Sequence, residues 1–277
     1  MEQIIVAKNF GELLENLDND KRRIVAGCTD VMVALRNGKL QPKPILDINE
    51  VQEIKQVFEK ENKVYIGSNV SLSTIIEDKL VDDNFKVLVK ALKTIGSSQI
   101  RNRATLGGNI QNASPSSDGI LALILLDAEL ILKSLNGERI VKIIDFISGV
   151  GRTELKANEF IEYIVLDKKY SSFNCYFEKV GLRNAMVISI SSIGVLIKLS
   201  KNIIEDIRIA YGAVAPKVIR IQKAEQFLIG KELNKNNLTK VQKIIEESIS
   251  PISDIRSSAN YRLEVSKNLI LRLLDII

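Results

Sequence analysis

The sequence predicts an α+β protein of two domains. Its 277 residues exceed the length of a typical single domain and are enough to bury two cores. Short strands and helices alternate near the N-terminus, whereas the last third has strands followed by helices, as in an α+β module. Polar residues at 167–172 mark the expected boundary. We therefore predict domains at 1–170 and 171–277, the first divided into subdomains of about 1–52 and 53–170.

Hydrophobic periodicity and turn residues define the elements of the first domain. Strands are predicted at 4–6, 24–25, 45–48, 53–59, 63–66, 129–134, 139–141 and 160–166, and helices at 10–17, 31–35, 73–79 and 85–95. Asn136-Gly137 joins two of these strands and is a strong signal for a type I′ hairpin turn.

The second domain has its strands first and its helices last. Strands are predicted at 173–180, 187–199 and 203–210, with a turn at Lys201-Asn202, and helices at 223–228, 238–249 and 261–275. Gly230 follows the first of these helices, at a position where a left-handed residue commonly ends a helix.

Composition excludes several kinds of active site. The chain has no histidine and only two cysteines, Cys28 and Cys175, with no Cys-x-x-Cys pair. Zinc, haem and iron–sulfur centres therefore lack their usual ligands, and histidine acid–base catalysis is excluded. We expect no metal site and no catalytic side chain here, and any redox metal to sit on another chain.

Charge and hydropathy bear on partners and location. The 39 basic and 34 acidic residues leave a mild positive excess, and no basic run is interleaved with aromatic residues, so nucleic-acid binding is not expected. The longest apolar runs, such as 121–126, are too short to span a bilayer. No signal peptide is recognisable, and we expect a cytoplasmic protein without a membrane span.

The strongest functional signal is segment 95–119, which reads IGSSQIRNRATLGGNIQNASPSSDG. It is rich in glycine, hydroxyl and amide side chains and has few residues that fill a core. We expect Gly107-Gly108-Asn109 to turn with positive φ and to expose consecutive N–H groups, a nest for phosphate oxygens. Arg101 and Arg103 either neutralise phosphate charge or brace the loop by donating to carbonyl oxygens.

A second glycine motif lies between a predicted strand and a predicted helix. It reads Ala26-Gly27-Cys28-Thr29-Asp30. Backbone N–H groups at a helix start, together with the helix dipole, favour an anion. Taken alone, the pentapeptide is equally explained by Thr29 or Asp30 capping the helix.

The two motifs resemble those of the FAD-binding subunit of molybdenum hydroxylases, the xanthine dehydrogenase and carbon monoxide dehydrogenase family. The matching strings are Gly96-Ser97-Ser98-Gln99-Ile100-Arg101-Asn102, Thr105-Leu106-Gly107-Gly108-Asn109 and Ala113-Ser114-Pro115-Ser116-Ser117-Asp118. The similarity continues in order along nearly the whole chain. It implies FAD as cofactor, a PCMH-type FAD-binding domain of two subdomains, and a C-terminal α+β domain of antiparallel strands and a helical bundle.

The resemblance also assigns residues to FAD. They are Ile24, Val25, Ala26, Gly27, Cys28, Thr29, Asp30, Val31, Thr105, Gly107, Gly108, Asn109, Ser117, Asp118, Ile161 and Lys179. In the family the first motif holds the pyrophosphate, the aliphatic residue matched by Ile161 packs on the isoalloxazine, and the lysine matched by Lys179 reaches the flavin ring. From the residues alone, an ordinary turn is the alternative for Asp118-Gly119, and a strand core residue is the alternative for Ile161.

Cys28 departs from the family, in which glycine is usual at this position. If φ is positive there, cysteine is strained by about 1–2 kcal/mol and weakens FAD binding, whereas a negative φ makes the exchange harmless. A thiol beside a helix N-terminus is also expected to have a lowered pKa.

The resemblance implies an FAD-carrying electron-transfer subunit of a molybdenum hydroxylase, with the xanthine dehydrogenase type favoured. Such a chain takes electrons from a [2Fe–2S] small subunit, beside a large subunit with the molybdenum cofactor, and passes them to NAD or another acceptor. The alternatives are the FAD subunit of a carbon monoxide, nicotinate or aldehyde dehydrogenase, or a flavin-free assembly subunit if Cys28 has abolished cofactor binding.

Overall fold

The computed structural model describes residues 4–17, 21–183 and 186–276. They form two compact units that interleave along the chain: Met1–Asp82, Gly96–Asn112 and Asp127–Asp167 in the first, and Asp83–Ile95, Ala113–Leu126 and Lys168–Ile277 in the second. The chain-order domains 1–170 and 171–277, with subdomains at 1–52 and 53–170, stay a prediction.

The regular elements are short at the N-terminus and longer at the C-terminus. The strands are β1 (Ile4–Val6), β2 (Arg23–Val25), β3 (Ile45–Asp47), β4 (Val57–Lys60), β5 (Lys63–Gly67), β6 (Glu129–Ser134), β7 (Gly137–Lys142), β8 (Ile147–Gly149), β9 (Arg152–Thr153), β10 (Phe160–Asp167), β11 (Asn174–Val180), β12 (Ser191–Ser200), β13 (Ile203–Gly212) and β14 (Ile219–Arg220). The helices are α1 (Phe10–Glu15), α2 (Val31–Arg36), α3 (Leu72–Glu77), α4 (Lys79–Asn84), α5 (Lys86–Lys93), α6 (Ser98–Arg101), α7 (Leu106–Asn112), α8 (Asp118–Leu125), α9 (Ile143–Phe146), α10 (Gln222–Leu228), α11 (Lys235–Ser248), α12 (Ala259–Leu269) and α13 (Leu273–Ile276).

A small parallel sheet, in the order β1-β3-β2, begins the first unit. Its side chains pack with α1 around Leu13 and Leu46, both fully buried, because the apolar residues of α1 recur on one face. The carboxyl ends of β2 and β3 lie side by side, and Asn49 Nδ2 donates to the carbonyl oxygen of Ala26 at 2.7 Å. The first glycine motif follows β2 at this edge.

The rest of the first unit is built on an antiparallel sheet of five strands, β4-β5-β10-β6-β7. The segment after β5 is tied to the start of α7, because the Gly107 N–H donates to the Ser68 carbonyl oxygen at 2.9 Å and the Leu72 N–H donates to that of Ala104 at 2.9 Å. The second glycine motif is thereby fixed against the end of β5.

The second unit has an antiparallel sheet in the order β11-β12-β13-β14. Ile193, Val195 and Ile197 of β12 join the core formed with the C-terminal helices. The other face receives α8: a Cβ built on Gly194 would lie 2.4 Å from Leu121 and 2.6 Å from Leu125. Burial on both faces explains the nearly continuous apolar run of β12.

Most predicted strands and long helices are confirmed, although the strand predicted at 187–199 begins only at Ser191, and three further local predictions are wrong. Residues 52–54 form a 3-10 helix, so the predicted strand at 53–59 begins only at Val57. The Asn136-Gly137 turn is not type I′, since Ser134 pairs with Gly137 and neither Leu135 nor Asn136 has the positive φ that this turn requires. Two successive positive φ values occur instead at Lys201 and Asn202, the turn between β12 and β13.

The third error concerns the glycine-rich segment, for which the sequence predicts a loop. It contains two short helices, α6 and α7, whose helical period is hidden by the absence of an apolar stripe.

Over the stretches that the structure describes, no helix combines the length and apolarity needed to cross a bilayer.

Candidate functional site

The first glycine motif forms a tight loop between β2 and α2. Gly27 is required for its packing, because a Cβ at this position would lie 1.9 Å from the carbonyl oxygen of Arg103. No side chain is compatible with that distance unless the two segments separate. Gly27 therefore serves the close contact between this loop and segment 103–104 of the same unit.

The loop presents a row of unused donors. Among the described residues, the backbone N–H groups from Gly27 to Val31 have no hydrogen-bond acceptor. Cys28 has a φ of 59°, and left-handed backbone beside right-handed residues turns successive N–H groups toward one point. Asp30 stands at the N-cap of α2 without a side-chain capping bond, so the capping interpretation is wrong for Asp30 and the N–H groups remain available.

The positive φ of Cys28 decides between the two sequence expectations for that residue: the strained alternative is the one observed. The expectation of a lowered thiol pKa is wrong. Burial raises the pKa of the Cys28 thiol, the Asp47 carboxylate raises it further, and Arg103 lowers it by a smaller amount. Cys28 is therefore a half-buried, protonated thiol at neutral pH.

The second glycine motif does not form a nest. Gly107 and Gly108 lie in α7 without positive φ, and their N–H groups already donate to the Ser68 carbonyl oxygen at 2.9 Å and to Thr105 Oγ1 at 3.1 Å. The glycines instead permit close approach, since a Cβ on Gly107 would lie 2.6 Å from that of Ser68. Gly108 is exposed and Asn109 is half-buried.

The two arginines of this segment differ in their contacts. Arg101 Nη1 donates to the Gly96 carbonyl oxygen at 3.0 Å, which is the bracing contact that the sequence offered as one alternative. The exposed guanidinium of Arg103 pairs with no described carboxylate. Its positive charge remains available beside the first loop.

A buried ion pair lies at the start of α8 in the second unit. Asp118 is 2% exposed and accepts from Lys179 Nζ at 2.6 Å, and the Lys179 side chain is 10% exposed. Thr94 Oγ1 and Ser189 Oγ also donate to Asp118, at 3.1 and 3.2 Å. Asp118 thus begins a helix that Ser117 caps, and is not an ordinary turn residue.

The sequence does not predict the roles of Thr94 and Ser189. Each is a hydroxyl residue beside apolar ones, and no local signal distinguishes it from a surface serine or threonine. Only the packing of segments 83–95, 113–126 and 168–276 within the second unit brings them to one carboxylate.

The remaining predicted residues lie in regular elements of the first unit. Ile24 is half-buried and Val25 buried in β2, and Val31 opens α2. Ile161 is 5% exposed in β10, at a register shift of the sheet, which leaves little of its side chain for a ligand. The strand-core interpretation of Ile161 accounts for this burial, and its flavin contact stays a prediction.

Comparison with known proteins identifies the fold and its cofactor. Residues 1–167 match the family model of the FAD-binding domain in molybdopterin dehydrogenase, and residues 176–277 match that of the carbon monoxide dehydrogenase flavoprotein C-terminal domain. The chain therefore belongs to the family of FAD-binding subunits of molybdopterin dehydrogenases, and its cofactor is FAD. The predicted fold class, an FAD-binding domain followed by a C-terminal α+β domain, is confirmed.

The names of individual relatives give several different activities. The glyceraldehyde dehydrogenase medium chain of Sulfolobus acidocaldarius is 36% identical over 96% of this chain and 94% of its own length. A putative xanthine dehydrogenase FAD-binding subunit of Escherichia coli is 30% identical over 90% of this chain and 86% of its own. A solved chain of the carbon monoxide dehydrogenase from Hydrogenophaga pseudoflava superposes with a TM-score of 0.94 and is 26% identical. The superposition covers 99% of this chain and 96% of the other.

The residues of the first loop fit the pyrophosphate of FAD. Five adjacent N–H groups without acceptors, a left-handed residue among them and a nearby guanidinium are features that bind a pyrophosphate with one negative charge on each phosphate. A flat apolar surface or a loop with satisfied donors would not have accommodated this charge.

Proposed function

We propose that this chain is the FAD-carrying electron-transfer subunit of a multi-subunit molybdenum hydroxylase or dehydrogenase. The observation that carries the proposal is the row of acceptor-free N–H groups from Gly27 to Val31 in a chain of the FAD-binding family. When bound, FAD supplies the redox chemistry, while the protein sets its position and access.

The chain's own residues have positioning roles in this proposal. The backbone of the first loop binds the pyrophosphate, with Ile24, Val25, Ala26, Thr29 and Asp30 forming its walls. In the proposal, Thr105, Gly108 and Asn109 border the pyrophosphate as well, and Gly107 acts by holding α7 against Ser68. The roles of Ser117, Asp118, Ile161 and Lys179 toward FAD stay predictions.

Lys179 differs from a freely available cation. Its charge is held by the buried Asp118 carboxylate at 2.6 Å, and Lys179 Nζ also donates to the Thr94 carbonyl oxygen at 3.3 Å. Such a pair has a fixed geometry, because removing either partner leaves an uncompensated buried charge. We infer that Lys179 has this one orientation whether or not it also meets the flavin.

The partners in the proposal are a large subunit with a molybdenum cofactor and a small subunit with [2Fe–2S] clusters. Electrons reach FAD from the small subunit and leave to NAD or another acceptor. The names of the relatives span glyceraldehyde, nicotinate, xanthine and carbon monoxide dehydrogenases, so the large subunit determines the substrate. The resemblance favours a complex of the xanthine dehydrogenase type, and the 36% identity to the glyceraldehyde enzyme's chain supports an aldehyde dehydrogenase as the second candidate.

The first experiment is the visible spectrum of the purified chain with FAD added, before and after dithionite. A flavin band that bleaches on reduction is expected. A chain that retains no flavin at saturating FAD would contradict the proposal and support the flavin-free assembly subunit.

A matched pair of variants then tests the phosphate site. Asp and Asn both tolerate the left-handed backbone of Cys28, and they differ only in charge. Cys28→Asp places a carboxylate in the anion-binding loop and is expected to weaken FAD binding roughly tenfold or more, whereas Cys28→Asn retains it. Equal FAD affinities for the two variants, measured by fluorescence titration, would place the phosphate elsewhere.

A further inference from the structure

The five-stranded sheet of the first unit is apolar on both of its faces. One face belongs to the core and carries Val64, Ile66, Ile164, Leu130 and Leu132, none of which is more than 1% exposed. When an antiparallel sheet packs one face on a core, the residues that alternate with the core residues are ordinarily polar. On this sheet several of the alternating residues are aromatic or aliphatic instead.

The apolar residues of the second face form a row across the strands. Tyr163 of β10, Ile131 of β6 and Ile140 of β7 lie directly opposite one another. Ile140 is 62% exposed, and the other two are half-buried. Two rings extend the row toward β4, because Phe58 stacks on Tyr65 with 5.1 Å between ring centroids and meets Tyr163 edge-on at 5.5 Å. These five residues, the apolar row, have the aromatic-rich composition of a protein–protein contact.

Charged residues flank the apolar row on both sides of its two isoleucines. On one side Glu129 of β6 lies opposite Lys142 of β7, and on the other Lys133 of β6 lies opposite Glu138 of β7. Lys133 Nζ and Glu138 Oε2 form an ion pair at 2.9 Å. Since residues two apart point to the same face, each strand presents Glu, Ile and Lys in this order, and the two strands run in opposite directions.

This arrangement of charges is complementary to itself. A two-fold axis along the apolar row places a second copy on the face, keeps each strand over its own counterpart and reverses its direction. Glu129 then faces Lys133 of the second copy. Lys142 faces Glu138 of the second copy, and each isoleucine meets its own counterpart. We propose that this face is a homodimer interface, and that its occupant is a second copy of this chain.

The extent of the face determines what kind of dimer forms. Five strands of about six residues cover an area of about 24 by 20 Å, so two copies bury about 1,000 Å² between them. This area is at the lower limit for a specific interface and is typical of transient complexes. The dimer is therefore reversible and depends on protein concentration.

Sedimentation equilibrium of the full chain with FAD added tests the interface. The wild type is expected to change from monomer to dimer over a range of about 10–500 μM. Ile140→Asp is expected to raise the dimer dissociation constant at least roughly tenfold, because it buries a carboxylate at the centre of the contact. Leu135→Asp is the matched control: Leu135 is 63% exposed but lies in the turn between β6 and β7, beyond the face, and its substitution leaves dimerisation unchanged.

A pair of charge variants tests the two-fold geometry itself. Glu138→Lys alone places like charges opposite each other at two symmetric positions, and Lys142→Glu alone does the same with the opposite sign. Each is expected to weaken dimerisation roughly tenfold. An equimolar mixture restores it, because in the mixed dimer each new charge faces its complement. Effects within one chain, such as loss of the Lys133–Glu138 pair, are the same in the separate solutions and in the mixture.

Two results would overturn the inference. The first is a wild type that stays monomeric over the whole range, which would leave the apolar row to a different protein. The second is a mixture of the charge variants that dimerises no better than each variant alone. Neither result affects the FAD proposal, because flavin retention is measured separately by the visible spectrum of the same preparations.

Discussion

The left-handed backbone of Cys28 both strains the first loop and gives it the shape that binds an anion. Its φ of 59° is unusual for a residue with a Cβ, and the same left-handed turn aligns the neighbouring N–H groups. The strain is therefore coupled to the anion-binding shape of the loop. A glycine at this position adopts the same backbone without the steric penalty.

Replacing Cys28 by glycine is accordingly expected to stabilise the protein. Relief of the left-handed strain is worth about 1 kcal/mol, partly offset by the greater freedom of glycine in the unfolded chain. Urea denaturation of the wild type, Cys28→Gly and Cys28→Ala measures the difference. The alanine variant keeps the strain and is expected to show no gain; a gain from alanine equal to that from glycine would show that the thiol, not φ, is the cause.

The reactivity of the same thiol follows from its surroundings. Burial and the Asp47 carboxylate raise the pKa of the Cys28 thiol. Its alkylation by iodoacetamide is therefore expected to accelerate only at pH values above the ordinary thiol pKa of about 8.5. The measurement uses a Cys175→Ser background, in which Cys28 is the one remaining thiol. A rate midpoint below that range would contradict the electrostatic description of the loop.

At the scale of single residues, the sequence predicts which residues belong to a site better than it predicts the contacts that they make. The motif around Gly27 was found because glycine before a helix start has a local signature. The partners of Asp118 were not, since Lys179 and Ser189 lie 61 and 71 residues away in sequence and Thr94 lies in a different helical segment. The residues next to a buried carboxylate in sequence do not indicate which distant side chains donate hydrogen bonds to it.

Helix α7 gives each of its adjacent glycines a different role. Gly107 is buried against Ser68, and Gly108 is exposed, with its missing Cβ only 3.0 Å from Thr105 Oγ1. Gly107→Ala is expected to destabilise the protein by about 1–3 kcal/mol through overpacking. Gly108→Ala is expected to change stability by less than about 1 kcal/mol, because alanine favours the helix.

The same pair separates packing from ligand contact. FAD affinity is measured for Gly108→Ala at a temperature where the variant is fully folded. If FAD approaches α7 at this exposed position, the added methyl lowers affinity without lowering stability. Gly107→Ala as stable as the wild type would contradict the packing role assigned to Gly107.

The connection between α11 and α12 depends on one carboxylate. Asp254 accepts from the Arg256 N–H at 2.8 Å and from the Arg262 guanidinium at 2.8 Å, and Arg262 is 3% exposed. The backbone hydrogen bond from Arg256 is the main cause that lowers the pKa of Asp254 to about 2. Because the pKa of Asp254 is lower in the folded protein, the ionised carboxylate stabilises the folded state. This stabilisation is fully present at pH values above the pKa in the unfolded chain, which is about 4.

Asp254→Asn is therefore expected to lower the free energy of unfolding by about 1–2 kcal/mol at neutral pH. The difference from the wild type is expected to shrink as pH falls from about 4 toward 2, where the wild-type carboxyl becomes protonated. Glu246→Gln, which removes an exposed partner of Lys267, is the control and changes stability little. A difference independent of pH through this range would show that the charge of Asp254 is not the stabilising feature.

At the scale of elements, periodicity predicted the long helices and most strands. It failed at α6 and α7, because short glycine-rich helices bury backbone against backbone and leave no apolar stripe to detect. The type I′ signal also pointed to the wrong hairpin. Lys201-Asn202 is a weaker signal than Asn-Gly, and the register of β12 with β13 selects the turn there.

At the scale of the whole chain, the two compact units do not follow one another in sequence. Segments 83–95 and 113–126 contribute α5 and α8 to the second unit, although they flank the glycine-rich segment of the first. The sequence offered a linker-like stretch near residue 170 and no signal for this exchange. Helices of similar apolarity pack on any apolar sheet face, so the pairing is determined only by the assembled packing.

The second unit accordingly requires α5 and α8 to fold. Without α8, the face of β12 at Gly194 loses Leu121 and Leu125, and the nearly buried Arg208 loses the Ile124 carbonyl oxygen that its Nη2 contacts at 3.4 Å. A fragment of residues 168–277 is expected to lack a cooperative thermal transition and to bind a hydrophobic dye. A longer matched fragment, in which residues 83–126 precede 168–277 through a flexible linker, is expected to unfold cooperatively, as measured by circular dichroism. If the short fragment unfolds with the same cooperativity as the longer one, α5 and α8 are dispensable and the chain-order domain 171–277 is the true folding unit.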